Sequence, residues 1–382
     1  MHYNANRSVA VIGGGIGGLT AALAFAQTGA LVTVYEQAAA LTEVGAGLQI
    51  TPNGMRALYA LGLEKALGLT GVQAQAVVPM DALNGREITR FDLSTQSPPY
   101  RFFHRAALID LLARACSAKG VTVQLDARIA DVQADGSFMA AGVQVRPDLT
   151  IGADGLHSTV RGVINKPAEP FFTGQVAWRA LVKTTDSDPV ARIWMAPGRH
   201  VVTYPLSGGR LNIVAVQQRS QWADEGWNHA DDPGNLRHVF ADCDWHLKSI
   251  LADVEKANLW GLFRHPVAQR WQMGTMAILG DAAHPTLPFL AQGANLAIED
   301  AFVLARSCDT HDTITTGLRI YQQARRDRVI RAIKAANANA QNYHLSGLKR
   351  SIAHTGLRTM GAVAPNAFLN RLSWLYDFDV SA

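Results

Sequence analysis

The chain reads as an α/β protein in which a parallel-sheet domain is interrupted by an antiparallel-sheet domain and followed by helices. Three observations predict this. An apolar run, Val9–Ile12, breaks into glycines and is followed by an Ala/Leu-rich stretch from Leu19 to Thr28 and a second β-branched run, Ala30–Tyr35. Between residues 171 and about 272, alternating runs such as RIWMA, HVVTYPL and RLNIVAVQQ are split by Pro-Gly and Ser-Gly-Gly turns. The chain then returns to a short apolar run, Met276–Leu279, before a helical C-terminal third.

The first observation is strand, turn, helix, strand: one Rossmann-like βαβ unit. Such a crossover is right-handed and carries a buried sheet. Pro52–Leu69 and Ala106–Lys119 read as helices, the latter with Leu108, Leu111, Leu112 and Ala115 on one face. Val121–Leu125 and Thr150–Ile151 read as strands that rejoin the first sheet. The alternation after 171 reads as antiparallel strands of a second sheet. The expected domains are therefore a discontinuous first domain, 1–170 plus 273–345, and a second domain, 171–272, which parts of 70–105 are candidates to join. A helical segment, 346–382, follows.

Composition excludes several classes. Of the 382 residues, 48% are hydrophobic and 17% charged, which builds a sizeable core and rules out a disordered profile. The net charge of +4 comes with no long basic run, so nucleic acid is not an expected partner. It fits better with drawing small anions into a cleft. Cys116, Cys243 and Cys308 are odd in number and far apart, which points to neither a disulfide framework nor a zinc site. With no signal-like N-terminus and no run of membrane-spanning length, the expectation is a cytoplasmic protein without integral membrane association.

Three motifs carry chemistry. In the first, Gly13-Gly-Gly15-Ile-Gly-Gly18 follows a strand and opens a helix, with Glu36 ending the next strand. Gly13 makes the turn, Gly15 admits a pyrophosphate, Gly18 lets helix and strand pack, and Glu36 accepts ribose hydroxyls. The helix N-terminus offers N–H groups to the phosphates. The second, Ile151-Gly-Ala-Asp154-Gly, follows a buried strand; on its residues alone it reads as turn chemistry. The third runs Leu279-Gly-Asp281-Ala-Ala-His284-Pro285, then Pro288-Phe289-Leu-Ala-Gln292-Gly293-Ala294-Asn295. There a carboxylate can hold a sugar or ribityl hydroxyl, and a helix start can face an electron-rich ring carbonyl. His284 lacks a second ligand at metal spacing, so no metal is expected. The cluster Arg325-Arg326-Asp327-Arg328 reads as a solvated helix face, and Arg179, after a buried-looking Trp178, as structural.

In this order and spacing the motifs resemble the class A FAD-dependent aromatic hydroxylases, in particular the salicylate hydroxylase and 3-hydroxybenzoate 6-hydroxylase branch. The resemblance spans nearly the whole chain. It includes Gly45-Ala-Gly47-Leu-Gln49-Ile-Thr-Pro-Asn53, His104-Arg105, Gly174-Gln-Val-Ala-Trp178-Arg179, His200-Val-Val202-Thr-Tyr204-Pro205 and the tail from Trp374. It implies a glutathione-reductase-like FAD-binding domain in the p-hydroxybenzoate hydroxylase fold. Gly13, Gly15, Gly18 and Glu36 would hold the pyrophosphate and adenosine. Arg105 would reach the phosphate and ribityl region, and Ile129 the adenine through its backbone. Asp281 would bind the flavin side chain, with Gly47 and Gln292–Asn295 beside the isoalloxazine. Asp154 would link the FAD region to the pyridine nucleotide. The implied reaction uses NADH or NADPH and O2 to hydroxylate a small aromatic ring, a phenolic acid or an N-heteroaromatic acid, through a flavin C4a-hydroperoxide.

A phenol reacts better as phenolate, so a base near the ring hydroxyl is expected. If 200–206 is a strand, His200, Val202 and Tyr204 share a face, with the outer two Cα atoms roughly 13 Å apart at ~3.3 Å per residue. His200 is the candidate base or proton relay and Tyr204 the candidate positioner; which of them is the base stays open. Gln49, Val202, Pro288 and Phe289 are candidate pocket residues. Family members often carry a polar residue, frequently histidine, where this chain has Phe289, so ring and position stay open. Two alternatives remain: a hydroxylase of a larger, quinone-precursor-like ring, and a flavoprotein without productive oxygenation. The expected assembly is a monomer or a homodimer.

Overall fold

In the computed structural model, Ser8–Ile12 pairs in parallel with Leu31–Tyr35 on one side and Leu149–Gly152 on the other. The structure describes residues 2–41, 47–166, 169–185, 188–219 and 229–382. Gly45 and Ala46 of the 45–53 motif lie outside them. Thr122–Gln124 and Met276–Ile278 extend the parallel ladder to either side, and Gln272–Met273 adds an antiparallel edge. The helix Ile16–Gln27 crosses between the first two strands and is buried along most of its length. Its Ala/Leu-rich sequence permits this, because small side chains let helix and sheet approach closely.

The second sheet has eight strands. Phe171–Lys183, Arg210–Gln218, Arg199–Leu206 and Val190–Ala196 lie side by side in antiparallel pairs. Beyond them Ala76–Asp81 joins Val190–Ala196 in parallel, the one parallel pair in this sheet among the described residues. Along Arg199–Leu206, Val201 and Thr203 point toward a core that contains Trp178, Trp194 and Phe240, while His200, Val202 and Tyr204 point to the opposite side.

Some local expectations change. The Pro52–Leu69 periodicity divides into Pro52–Ala60 and Glu64–Thr70, because Gly62 takes φ +77° between them. Arg325 is not solvated. It sits fully buried on the inner face of the helix Ile314–Tyr343. Two acids on the neighbouring helix Gln292–Asp309 offset the cost of burying its charge, as described below.

Candidate functional site

The three motifs converge at the N-terminus of the helix Ile16–Gln27. Gly13 has φ +106°, and a Cβ there would sit 2.4 Å from the carbonyl oxygen of Ala153, so the first turn lies directly on the second motif. A Cβ on Gly18 would fall 1.9 Å from the Gly13 oxygen. A Cβ on Gly17 would meet Leu279 and Ala297, which brings in the third motif. Gly15 differs: among the described residues a Cβ there meets nothing within 4 Å. Among the described residues no side chain caps this helix, and no acid stands in its first turn. The turn therefore leaves an uncapped, electropositive helix end facing open space, a fit for a pyrophosphate.

Glu36 accepts from the Gly14 N–H at 2.7 Å and the Ala38 N–H at 2.8 Å. Each carboxylate oxygen has a second lone pair, so capacity remains for ribose hydroxyls. Ile129 lies in a short strand two residues beyond Ala127, whose N–H donates to the Glu36 carbonyl. Arg105 opens the helix Arg105–Ala118 and its charge reaches Asp281. The Asp281 side chain reaches solvent, unlike the buried Ala282 and Ala283 that follow it, yet its carboxyl is packed closely enough that desolvation raises its pKa, which His284 and Arg105 oppose. Asp154 is also engaged within the chain. Its carboxylate accepts from Ser158 and from the N–H and hydroxyl of Thr159, pinning the start of the helix Thr159–Ile164.

The helix Gln292–Asp309 begins after Ala291, which takes φ +54°, and it too lacks a side-chain cap. Its first side chains are used internally. Gln292 donates to the Thr51 hydroxyl at 3.1 Å and accepts from Asn53 at 3.1 Å. Asn295 accepts from the Thr51 N–H and donates to the carbonyls of Gln49 and Ala291. What this end offers a ligand is therefore the backbone of Gln292, Gly293 and Ala294.

Behind it runs a buried polar spine. Asn53 donates to Glu299 at 2.6 Å. Glu299 pairs with Arg325 at 2.6 Å and with Arg328 at 2.7 Å, and Asp300 pairs with Arg325 at 2.7 Å. Asp300 also binds the His284 ring and the Gly280 N–H. Burial raises the Asp300 carboxyl, but the charges and hydrogen bonds of His284 and Arg325 overcome this and hold it below the ordinary range. Arg328 also donates to the carbonyls of Trp374 and Leu375, tying the C-terminal tail to the spine. Glu299 and Asp300 follow the third motif on the same helix, but nothing in the sequence pairs them with Arg325 and Arg328.

The row expected from a strand at 200–206 is present, with His200, Val202 and Tyr204 on one face of Arg199–Leu206. Tyr204 is buried against Phe102 with ring centroids 5.0 Å apart, and its ring lies against Gly47. Burial raises its phenol pKa, an effect that Arg179 and Gln49 oppose. Gln49 accepts from the Tyr100 hydroxyl, Val202 is half-buried between the two ends, and Gly47 donates to Asn212 at 2.6 Å. His200, at the other end, is buried between the Phe289 ring at 5.5 Å and the Tyr343 ring at 5.2 Å. Burial, then His344, pushes its pKa well below the ordinary histidine value. Phe289 is buried and Pro288 exposed. Arg179 lies over the Trp260 ring at 4.4 Å. Cys116, Cys243 and Cys308 are all buried free thiols.

A family model described as an FAD binding domain matches residues 6–336. The chain is 33% identical over 351 residues to a 3-amino-4-hydroxybenzoate 2-monooxygenase of Streptomyces cremeus, covering 88% of each chain. It is 31% identical over 398 residues to 3-hydroxybenzoate 6-hydroxylase 1 of Aquipseudomonas alcaligenes, covering 98% of each. The fold matches Klebsiella pneumoniae HpxO complexed with FAD and uric acid at a TM-score of 0.82 and 26% identity, over 96% of this chain and 97% of that one.

Proposed function

This chain belongs to the FAD-binding family of FAD-dependent aromatic monooxygenases, and from that premise we propose that it hydroxylates a small phenolic acid or N-heteroaromatic acid with NADH or NADPH as reductant. The observation that carries the substrate class is the likeness to monooxygenases named for 3-amino-4-hydroxybenzoate and 3-hydroxybenzoate. His200, Val202 and Tyr204 stand in one row on the sheet face that meets Phe289 at one end and Gly47 at the other.

When bound, FAD accepts the hydride and supplies the reactive oxygen; the chain's residues bind, orient and deprotonate. The glycine turn and Glu36 hold the pyrophosphate and adenosine, Arg105 and Asp281 the linking ribityl and phosphate region, and the backbone of 292–294 the ring carbonyl. Asp154 serves this site through the turn it pins. His200 takes the proton of the ring hydroxyl; burial keeps its imidazole neutral near neutral pH and also lowers its basicity. Tyr204 and Gln49 position the ring, and Phe289 keeps water from the base. The buried free thiols agree with a reducing, cytoplasmic setting. Among the described residues no helix is long and apolar enough to cross a membrane.

The test is a purified, yellow protein assayed for NADH and NADPH oxidation across phenolic and pyridine carboxylates, with peroxide and product quantified. One ring acid that accelerates oxidation and emerges hydroxylated, with little peroxide, is the expected result. No stimulation by any small ring, with stimulation by a bulkier one, overturns the substrate class. Stimulation that yields only peroxide overturns hydroxylation.

A further inference from the structure

The His200 ring does not face its neighbours alone: its Nδ1 lies 2.7 Å from Nε2 of His344, with both rings buried. His344 is the residue that ends the helix Ile314–Tyr343. Its carbonyl accepts from the Gly198 N–H at 3.1 Å, in the turn that leads into the strand carrying His200. The two residues are thus joined twice, once through backbone and once through rings. Phe289 closes over both, with its centroid 5.5 Å from one ring and 6.5 Å from the other.

Two neutral imidazoles at this distance must share one proton between them, and the direction of the bond fixes which nitrogen of His200 is bare. If His344 donates, His200 carries its proton on Nε2 and is no base. If His344 accepts, His200 holds its proton on Nδ1 and presents a bare Nε2. We propose that His344 is a positioning residue that accepts from His200 Nδ1–H through its own Nε2, so that His200 Nε2 is the nitrogen open to the substrate hydroxyl.

The same bond serves both protonation states. As the substrate O–H breaks and Nε2–H forms, the phenolate keeps the bonding pair and His200 becomes an imidazolium. Its Nδ1–H stays on His344, and nothing is oxidised or reduced. The C-terminal end of a 30-residue helix, where His344 sits, also favours a nearby positive charge. Burial holds His344 at a pKa of about 4, so it remains a neutral acceptor at neutral pH. With Nε2 accepting, neutral His344 carries its own proton on Nδ1, a buried N–H that finds no partner among the described residues. This inference rests on the reading of His200 as base.

The test uses FAD-loaded enzyme. Long-range 15N–1H spectra of 15N-histidine-labelled wild type should show His200 protonated at Nδ1 and bare at Nε2; the opposite tautomer overturns the proposal. His344→Leu should lose coupled hydroxylation on the order of 10–100-fold, the range found when the partner orienting a metal-bound histidine is removed. Its FAD content and substrate-induced flavin absorbance change should stay near wild type. His344→Gln, which keeps an acceptor, should recover most of the loss. Wild-type coupling in His344→Leu beside a crippled His200→Ala overturns the positioning role alone. Full coupling in His200→Ala overturns the base reading beneath it. If His344→Leu does not fold, the wild-type tautomer and the Gln variant still decide the matter.

Discussion

Arg325 and Asp300 meet at 2.7 Å with neither side chain reaching solvent, and the same guanidinium reaches Glu299 at 2.6 Å. A buried pair of this kind is weak as a source of net stability but costly to break from one side. Arg325→Met removes the buried cation that Glu299 and Asp300 share behind the helix that opens at Gln292, leaving Glu299 with Arg328 and Asp300 with His284. The expected loss is about 3–5 kcal/mol in urea unfolding, with weaker FAD retention. A loss under about 1 kcal/mol would show that the spine is not a structural keystone.

Gly15 and Gly18 separate ligand binding from packing. Gly15→Ala places a methyl in open space, so apo-protein stability should change by less than about 0.5 kcal/mol. FAD affinity should still fall tenfold or more, because the methyl stands where the pyrophosphate approaches. Gly18→Ala puts a Cβ 1.9 Å from the Gly13 oxygen and should cost about 1–3 kcal/mol in the apo-protein. FAD titration by fluorescence quenching, alongside apo-protein melts, reads both. Equal behaviour of the two variants would sink the distinction.

Asp281→Ala removes a side chain that reaches solvent, so the fold should tolerate it. The variant should purify colourless or lose FAD on gel filtration. A fully flavinated, active Asp281→Ala would remove this residue from the cofactor site.

Acid sensitivity follows from His344. Its pKa is pushed down to about 4 by burial, against about 6.5 in an unfolded chain. Between these values the unfolded chain binds more protons, so stability falls as pH falls from about 6.5 toward 4. The full effect is about 3 kcal/mol once the pH is below 4. His344→Gln should flatten that part of the profile in urea melts run from pH 8 to 4. An unchanged slope would mean that the ring is not buried as a neutral group.

The cofactor half of this protein is legible in its sequence because the signals are local. Gly13, Gly15 and Gly18 act through backbone conformation and the absence of a side chain, and both are written in the residue type. The row His200, Val202, Tyr204 follows from the two-residue repeat of a strand. The breaking of 52–69 at Gly62 depends on a single glycine within a good helical pattern, where periodicity carries little warning.

Partnerships between distant side chains were a different matter. Arg325 reads as one charge in a basic run, and only the packing of two helices shows that it faces Glu299 and Asp300. Asp154 looks like a nucleotide contact by resemblance, and only the structure shows that its carboxylate also accepts from Ser158 and Thr159. His344 carries no motif at all; a helix end 144 positions from His200 becomes its neighbour through the turn at Gly198. By itself the sequence determined the βαβ unit, the place of the glycine turn and the face that carries His200, Val202 and Tyr204, because these rest on short-range backbone geometry. Only the tertiary structure decided which buried charges and rings meet, because such pairs are set by the packing of elements far apart in the chain, and no residue type or spacing encodes their distance.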